Sequence, residues 1–226
     1  MRLSELDIEL IRSKRKTVSI HIERNGSVSA RIPETISEEE ILNVLKSKEY
    51  QIHKNLAQWS QLNQTKVERD YVNGQSFLYL GRNYRLQFVE DRLGSLIFCK
   101  GYFQLSLSKK SHAREMFIEF YKEKLNEKLK PILKRFKGQL GVNPKEIKVM
   151  ELQNRWASCT ASGNVNFHWK CAMAPVDVLN YIVVHELTHL IHPNHTAAFW
   201  NELDKVMPRY HKQVLWLKLN GAGMDL

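Results

Sequence analysis

Alternating and periodic apolar positions predict the first elements of the chain. Residues 17–33 alternate apolar and polar side chains on both sides of Asn25-Gly26, a pair favoured in two-residue hairpin turns. Residues 37–40, Ser-Glu-Glu-Glu, have the form of a helix capping box, and apolar residues recur beyond them at helical spacing. The pattern therefore predicts a β-hairpin followed by an amphipathic helix.

Short alternating segments punctuated by glycines follow that helix. They predict strands at residues 76–80, 84–89, 95–99 and 102–107, with glycine turns between them. None of these glycines belongs to a phosphate-binding motif. We expect residues 1–108 to form an N-terminal β-rich accessory domain, built on antiparallel sheet, that packs against the remainder or shapes its cleft.

The second half of the chain begins with apolar residues at helical spacing. Apolar residues repeat along one face of residues 111–138, which predicts a long helix packed on a core. Residues 147–152 and 165–169 then alternate like strands, and the apolar stretch 181–200 follows them. Residues 109–226 are therefore predicted to form a second domain of the α+β class, a short antiparallel sheet with a buried helix.

The stretch YIVVHELTHLIHPNHTAAFW at residues 181–200 carries the candidate chemistry. It contains His185, Glu186 and His189 as an H-E-x-x-H motif. Residues four apart on a helix lie on one face, so the two imidazoles can bind one zinc ion while Glu186 reaches a water on it. The alternative is a pair of hydrogen-bonded core histidines without a metal.

Two histidines compete to be the third ligand. Pro193 disfavours helix at His192, so we expect the helix to end there and His195 to turn back towards the first two ligands. His192 would share their face if the helix continued, but three ligands along one straight helix surround a tetrahedral ion poorly. We therefore favour His195, which leaves the fourth zinc position open, and expect Phe199 and Trp200 to pack against it.

Together with N-R-W-A-S-C at residues 154–159, this stretch resembles the YgjP-like metallopeptidases, which are relatives of the SprT-like and WLM zinc proteases. The resemblance implies a zincin-like catalytic core, zinc ligands at His185, His189 and His195, and a catalytic glutamate at Glu186. It also implies that the R-W-x-S-C motif lies close to the active site. Ala157 stands where the family usually has glycine, so the local turn can differ.

These observations lead to the hypothesis of a zinc-dependent metallopeptidase with one Zn²⁺ per chain. It would hydrolyse peptide bonds through a zinc-activated water, with Glu186 as general base. Arg155, Tyr210 and His211 are candidates to support a ligand or to stabilise the transition state. For Arg155 the alternative is a structural ion pair.

A peptidase can bind an extended peptide by adding it to an exposed strand edge. The strand predicted at residues 165–169 is the candidate edge, and an internal strand paired on both sides is the alternative. Its residues are Val165, Asn166, Phe167, His168 and Trp169.

Composition and charge limit the remaining possibilities. The 226 residues carry a net charge of +10, dispersed along the chain without a recognised nucleic-acid motif. The alternative function is thus a basic nucleic-acid-associated binding protein with a structural or regulated zinc site.

The three cysteines are too few for a disulfide framework. Because we find neither a bilayer-spanning apolar run nor a signal-peptide core, we expect a cytoplasmic protein that acts on peptides or proteins and has no membrane partner.

Overall fold

The computed structural model describes residues 1–3, 6–23, 26–63, 69–90, 94–153 and 155–226. Helices and small sheets alternate along them, which confirms the predicted α+β class. The contacts divide the chain into two compact units, Met1–Thr65 and Lys66–Leu226. Among the described helices, none combines the length and the apolar character that a bilayer crossing requires.

The first unit is a four-stranded sheet with one long helix. Its elements are β1 (Arg2–Leu3), β2 (Leu6–Ser13), β3 (Ser19–Ile22), β4 (Val28–Pro33) and α1 (Glu38–Asn63). The sheet order is β1-β2-β4-β3, in which β3 and β4 are antiparallel and β2 runs parallel to β4. The predicted hairpin is therefore present, although Asn25 of its turn lies outside the described residues. Apolar residues from β2, β4 and α1 form a separate core: Ile8, Val28, Ala30, Ile32, Ile41, Leu45 and Ile52.

The capping box predicted for α1 is formed. The backbone N–H of Glu40 donates to Ser37 Oγ at 3.3 Å, and the backbone N–H of Ser37 donates to Glu40 Oε2 at 3.1 Å. These reciprocal bonds satisfy two backbone donors that the helix itself leaves without partners. The start of α1 is thus determined by local sequence.

The second unit begins with another four-stranded sheet. Its strands are β5 (Ser76–Tyr79), β6 (Arg82–Val89), β7 (Ile97–Cys99) and β8 (Tyr102–Ser106), in the order β5-β6-β8-β7. The strands β5–β6 and β7–β8 are antiparallel hairpins, whereas β6 and β8 are parallel. The sheet is therefore mixed, and the expectation of a purely antiparallel sheet is wrong for its central pair.

The sheet β5–β8 shares its core with the long helix α2 (Ala113–Leu140). Phe77 of β5 stacks on Phe117 of α2 with ring centroids 4.1 Å apart, and Phe103 of β8 packs 5.0 Å from Phe117. The predicted boundary between residues 108 and 109 consequently falls inside the second compact unit rather than between units. Whether the chain folds as two independent domains stays a prediction.

The remaining elements of the second unit carry the candidate site. They are β9 (Glu146–Met150), β10 (Ala157–Cys159), β11 (Asn164–His168), a 3-10 turn (Trp169–Met173), α3 (Val176–Thr188), α4 (Ala197–Val206) and α5 (His211–Asn220). The sheet order is β10-β11-β9, with β10 antiparallel and β9 parallel to β11. The helix α3 is buried along nearly its whole length against this sheet and α2.

The turn between β5 and β6 docks on the segment that leads into α3. Leu80 and Gly81 both have positive φ, 49° and 79°, as a two-residue hairpin turn of this hand requires. Their backbone N–H groups donate to the carbonyls of Ala172 and Met173 at 2.9 and 2.8 Å. A Cβ on Gly81 would lie 2.7 Å from Cγ of Pro175, the residue that caps α3. Glycine is therefore required here by conformation and by space.

We predict that Gly81→Ala destabilises the protein by about 2–4 kcal/mol, because it adds a steric conflict with Pro175 to the strain of a positive φ. Gly74→Ala is the matched control, since Gly74 has φ 83° but a Cβ there would meet nothing within 4 Å. It should cost about 1 kcal/mol. Urea unfolding of both variants measures the difference. Equal losses would show that the contact with Pro175 contributes nothing.

We also predict that a chain starting at residue 66 stays folded, whereas one starting at residue 109 does not. The longer truncation removes Phe77 and Phe103, which are fully buried in the core around α2. Far-ultraviolet circular dichroism and thermal unfolding of the two truncated chains test this. A cooperative unfolding transition for the chain that starts at 109 would support the boundary predicted from the sequence.

Candidate metal centre

The helix α3 places two of the three histidines. The four residues directly before the motif, Tyr181–Val184, are buried, with Val183 and Val184 both inaccessible to solvent. His185 lies in its last full turn, and His189 caps its C-terminus with its backbone N–H bonded to the His185 carbonyl at 3.3 Å. The i, i+4 spacing therefore brings both imidazoles to one side of the helix end, as predicted.

The third histidine returns after the helix has ended. Helical structure stops at Thr188, and residues 189–196 form turns before α4 begins at Ala197. The side chain of His195, which lies in this connection, is close to those of His185 and His189. One ring nitrogen from each of the three histidines lies within 4.8 Å of the others. Among the described residues His192 is not part of this cluster, so the geometry favours His195 over its rival.

The aromatic residues at the start of α4 enclose the cluster. Phe199 is fully buried, and its ring centroid lies 5.0, 4.6 and 4.7 Å from those of His185, His189 and His195. Trp200 stacks on His195, with centroids 5.5 Å apart and planes inclined by 25°. Phe199 thus forms an apolar floor under all three imidazoles, and Trp200 forms a wall beside the third.

The two helix-borne imidazoles are oriented through their Nδ1 atoms. His189 Nδ1 lies 3.1 Å from the carbonyl oxygen of His192, which can only accept, so Nδ1 carries the proton of this bond. His185 Nδ1 lies 3.3 Å from the hydroxyl of Tyr181, one turn earlier on α3. Donation from Nδ1 to that hydroxyl leaves the Nε2 lone pair free to bind a metal.

Burial favours the neutral form of His185 and His195. Loss of hydration is the main reason that the pKa of His185 is lowered to about 3, and the neighbouring His189 and His195 contribute less. The pKa of His195 is also lowered, by burial first and by His189 second. Metal ligation requires the neutral imidazole, so the lowered pKa values of His185 and His195 favour the form that binds a metal ion.

The donor set fits zinc. His195 Nε2 and His185 Nε2 lie 3.0 Å apart, close to the separation of about 3.3 Å that two nitrogens have when they bind one tetrahedral zinc ion. Imidazole nitrogens suit zinc, and three of them leave a coordination position open. The residues present would therefore hold a zinc ion without large rearrangement.

Glu186 follows His185 in the chain, but its side chain has a different environment. The residue is 7 % exposed, and loss of hydration raises the pKa of its carboxyl group to about 7. The positive charge of Arg155 and a backbone hydrogen bond from Cys159 oppose this rise. Glu186 is thus a carboxyl group that exchanges its proton near neutral pH, which is the property of an efficient general base.

The other predicted site residues take different positions. Arg155 is exposed but close enough for its charge to act on Glu186. Tyr210 is buried, with its ring stacked between Tyr181 and Trp200. His211 is exposed and packs 4.0 Å from the Tyr210 ring. Their proposed roles in the transition state stay predictions, and Asn154 of the N-R-W-A-S-C segment lies outside the described residues.

The strand predicted as the substrate edge is not an edge. β11, which holds Val165, Asn166, Phe167 and His168, pairs with β10 on one side and β9 on the other. His168 is buried, accepts from the Lys170 N–H at Nδ1, and contacts Glu151 through Nε2 at 3.3 Å. Trp169 also donates to Glu151. The prediction for residues 165–169 is therefore wrong, because neighbouring strands already pair with the backbone of β11.

Two contacts of the site were not anticipated from the sequence. The first is the Tyr181 hydroxyl, whose i−4 spacing from His185 was the signal that could have identified it. Burial raises the pKa of Tyr181 to about 12, so the phenol is neutral. The second is the backbone N–H of Cys159 on β10, which bonds the Glu186 carboxyl. A backbone donor has no signature in the sequence.

The chain is similar to a known protein family and to solved structures. The family described as YgjP-like, metallopeptidase domain, matches residues 16–220. No curated protein matches the chain. Among solved structures, the chain is similar to the metallopeptidase zymogen of Pyrococcus abyssi abylysin, with 21% identity, a TM-score of 0.38, and coverage of 42% of this chain and 95% of that chain. The metallopeptidase zymogen of Methanocaldococcus jannaschii jannalysin gives 22% identity, a TM-score of 0.35, and coverage of 38% and 89%.

We predict that Glu186→Gln stabilises the metal-free protein at high pH but not at low pH. An unfolded glutamate ionises near pH 4, whereas the buried Glu186 ionises near pH 7, so the folded protein binds the extra proton between these values. Wild-type stability therefore falls as pH rises through this interval, and glutamine removes that loss, which amounts to about 3 kcal/mol.

Urea unfolding of the chelator-treated proteins at pH 5 and pH 8 measures this effect. Glu146→Gln is the matched control, because Glu146 is an exposed residue on β9 paired with Lys148. It should show no such gain at pH 8. A Glu186→Gln variant whose stability follows the wild-type pH dependence would show that Glu186 is not held in its neutral form.

Proposed function

The chain belongs to the YgjP-like metallopeptidase family, and on that premise we propose which residues perform its hydrolysis of peptide bonds. We assign one Zn²⁺ per chain to His185, His189 and His195, and the role of general base to Glu186. The observation that carries the proposal is the convergence of three imidazole nitrogens within 4.8 Å of one another. Glu186, the next residue after His185, has a carboxyl group with a pKa of about 7.

The roles of the residues follow from their positions. When bound, a zinc ion supplies Lewis acidity that polarises a peptide carbonyl and makes a water molecule more acidic. The Glu186 carboxylate accepts the proton of the attacking water on a carboxylate oxygen and delivers it to the nitrogen of the leaving amine. Arg155 favours the ionised form of Glu186 and so increases the fraction of base available at neutral pH.

The outer edge of β10 is our candidate for binding the substrate main chain. The carbonyl of Trp156 accepts from the N–H of His168, and the N–H of Thr160 donates to Asn164. Because backbone groups alternate in direction along an antiparallel strand, those of Ala157 and Cys159 face away from β11. Cys159 also bonds Glu186, so a peptide added along this edge would pass beside the proposed base.

The nucleic-acid alternative and the cytoplasmic location stay predictions. Part of the positive charge that motivates the alternative lies in the second half of α2, where Lys128, Lys130, Lys134, Arg135 and Lys137 occur without an acidic residue between them. Lys137 lies in the last turn of α2, where the helix dipole favours a positive charge without any ligand. The metal centre is therefore the stronger basis for a function.

We predict that Glu186→Gln retains zinc and loses at least about 100-fold in cleavage rate, because the amide cannot accept the proton. His189→Ala should lose both zinc and cleavage, because it removes a ligand. Zinc content by elemental analysis and hydrolysis of a denatured, fluorescently labelled protein provide the two measurements. Glu146→Gln serves as the charge-matched control and should retain both. Cleavage by Glu186→Gln at the wild-type rate would rule out the assigned base.

A further inference from the structure

Each of the three imidazoles is held in place by a different contact. His189 is fixed by the carbonyl of His192, which belongs to its own turn. His185 is fixed by the hydroxyl of Tyr181. His195 is exposed and lies in the connection between α3 and α4. Its imidazole ring stacks on the ring of Trp200. The first and third ligands therefore depend on side chains outside the H-E-x-x-H motif.

These side chains form one continuous structure. The rings of Tyr181 and Tyr210 are stacked with centroids 6.2 Å apart and planes inclined by 8°. Tyr210 stacks in turn on Trp200, at 5.5 Å and 14°, and Trp200 stacks on His195. We call Tyr181, Tyr210 and Trp200 the aromatic stack. It begins at the residue that contacts His185 and ends at the ring that contacts His195, so it joins α3 to α4 behind the cluster.

We propose that the aromatic stack positions His185 and His195 for metal binding, with Tyr181 and Trp200 as positioning residues that determine zinc affinity and coordination geometry. This inference rests on the zinc site of the proposed function and goes beyond it, because it assigns the positioning to residues that do not bind the metal.

The physical reason is the difference in rigidity between the ligands. His185 and His189 come from a buried helix end, whereas His195 follows Pro193 and Asn194 in irregular backbone. An exposed imidazole on such a segment samples several rotamers, and ordering it on binding costs free energy. Stacking on Trp200 restricts those rotamers before the metal binds. The hydroxyl of Tyr181 selects the tautomer of His185 that exposes Nε2 to the ion.

The core geometry supports a positioning role for Trp200 rather than one in packing alone. Phe199, its neighbour on α4, is fully buried and already fills the floor below the imidazoles. Trp200 is half-buried, and its ring lies between His195 and Tyr210. A substitution at Trp200 should therefore affect the third ligand more than the stability of the fold.

The test is the zinc dissociation constant, measured by competition with a chromophoric chelator, in the full chain and its variants. Tyr181→Phe keeps the stacked ring and removes the hydroxyl, and we expect zinc binding about 10–100-fold weaker. Tyr210→Phe is the matched control, because it also keeps a stacked ring, and its affinity should stay at the wild-type value. Trp200→Leu should weaken binding by about 10-fold, and Trp200→Phe should restore most of the loss, since a planar ring can still stack on His195.

Two further measurements separate positioning from damage to the fold. The visible absorption of the Co²⁺-substituted proteins should shift in Tyr181→Phe and Trp200→Leu, because ligand geometry changes, and stay unchanged in Tyr210→Phe. Thermal unfolding of the metal-free variants should stay near wild type. If Trp200→Leu unfolds, Tyr181→Phe and Trp200→Phe still carry the test, because both preserve an aromatic ring at the substituted position.

The outcomes distinguish the inference from the function on which it rests. Zinc binding by wild type, with equal affinity and equal Co²⁺ spectra in Tyr181→Phe and Trp200→Leu, would overturn the positioning role and leave the zinc site intact. Failure of wild type to bind zinc would overturn the proposed function and this inference together. Weaker binding by Tyr210→Phe to the same extent as Tyr181→Phe would also contradict the assigned role of the Tyr181 hydroxyl.

Discussion

Two Nε2 atoms 3.0 Å apart, those of His185 and His195, cannot both carry a proton. The two N–H groups would point at each other, and two protonated rings would also repel as like charges. Burial of His185 adds to the cost of a charge there. The same burial that disfavours protons on these rings leaves their lone pairs directed at a common space. A divalent cation satisfies several lone pairs at once, which individual protons cannot do without repulsion. The apolar character of α3 is thus a condition for metal binding as well as for folding.

Burial has the opposite consequence for the adjacent carboxyl group. Glu186 is deprived of hydration by the same core, so it tends to keep its proton, whereas the imidazoles tend to lose theirs. Unopposed burial would hold Glu186 neutral well above neutral pH. Arg155 and the N–H of Cys159 limit that effect, and both belong to the segment that forms β10. The R-W-x-S-C segment therefore adjusts the proton affinity of the carboxyl group that we propose as the general base.

Features set by local sequence were predicted correctly, and those set by distant pairing were not. The capping box of α1, the strands of the β5–β8 sheet and the His185–His189 spacing each depend on residues a few positions apart. The position of β11 in the middle of its sheet depends on β9, which precedes β10 in the chain but pairs on the far side of β11. Alternation along residues 165–169 is the same for a central and an edge strand, so the sequence could not separate the two. The boundary at residue 108 was placed by a change of periodicity, which does not reveal that Phe77 and Phe103 pack on α2.

The position of α3 depends on contacts at its N-terminus and near its middle. At its N-terminus, Pro175 offers no side-chain cap, and the helix entry is instead fixed where Gly81 packs against Pro175 and the β5–β6 turn bonds the preceding carbonyls. Near its middle, Tyr181 joins the helix to Tyr210 through ring stacking. A helix held at one end can still pivot, and a pivot moves the distal side chains most. Because the imidazoles of His185 and His189 lie at the distal end, the contact at residues 80–81 contributes to the precision of the candidate site. The sheet predicted to belong to an accessory domain is, on this argument, part of the structure that positions the metal centre.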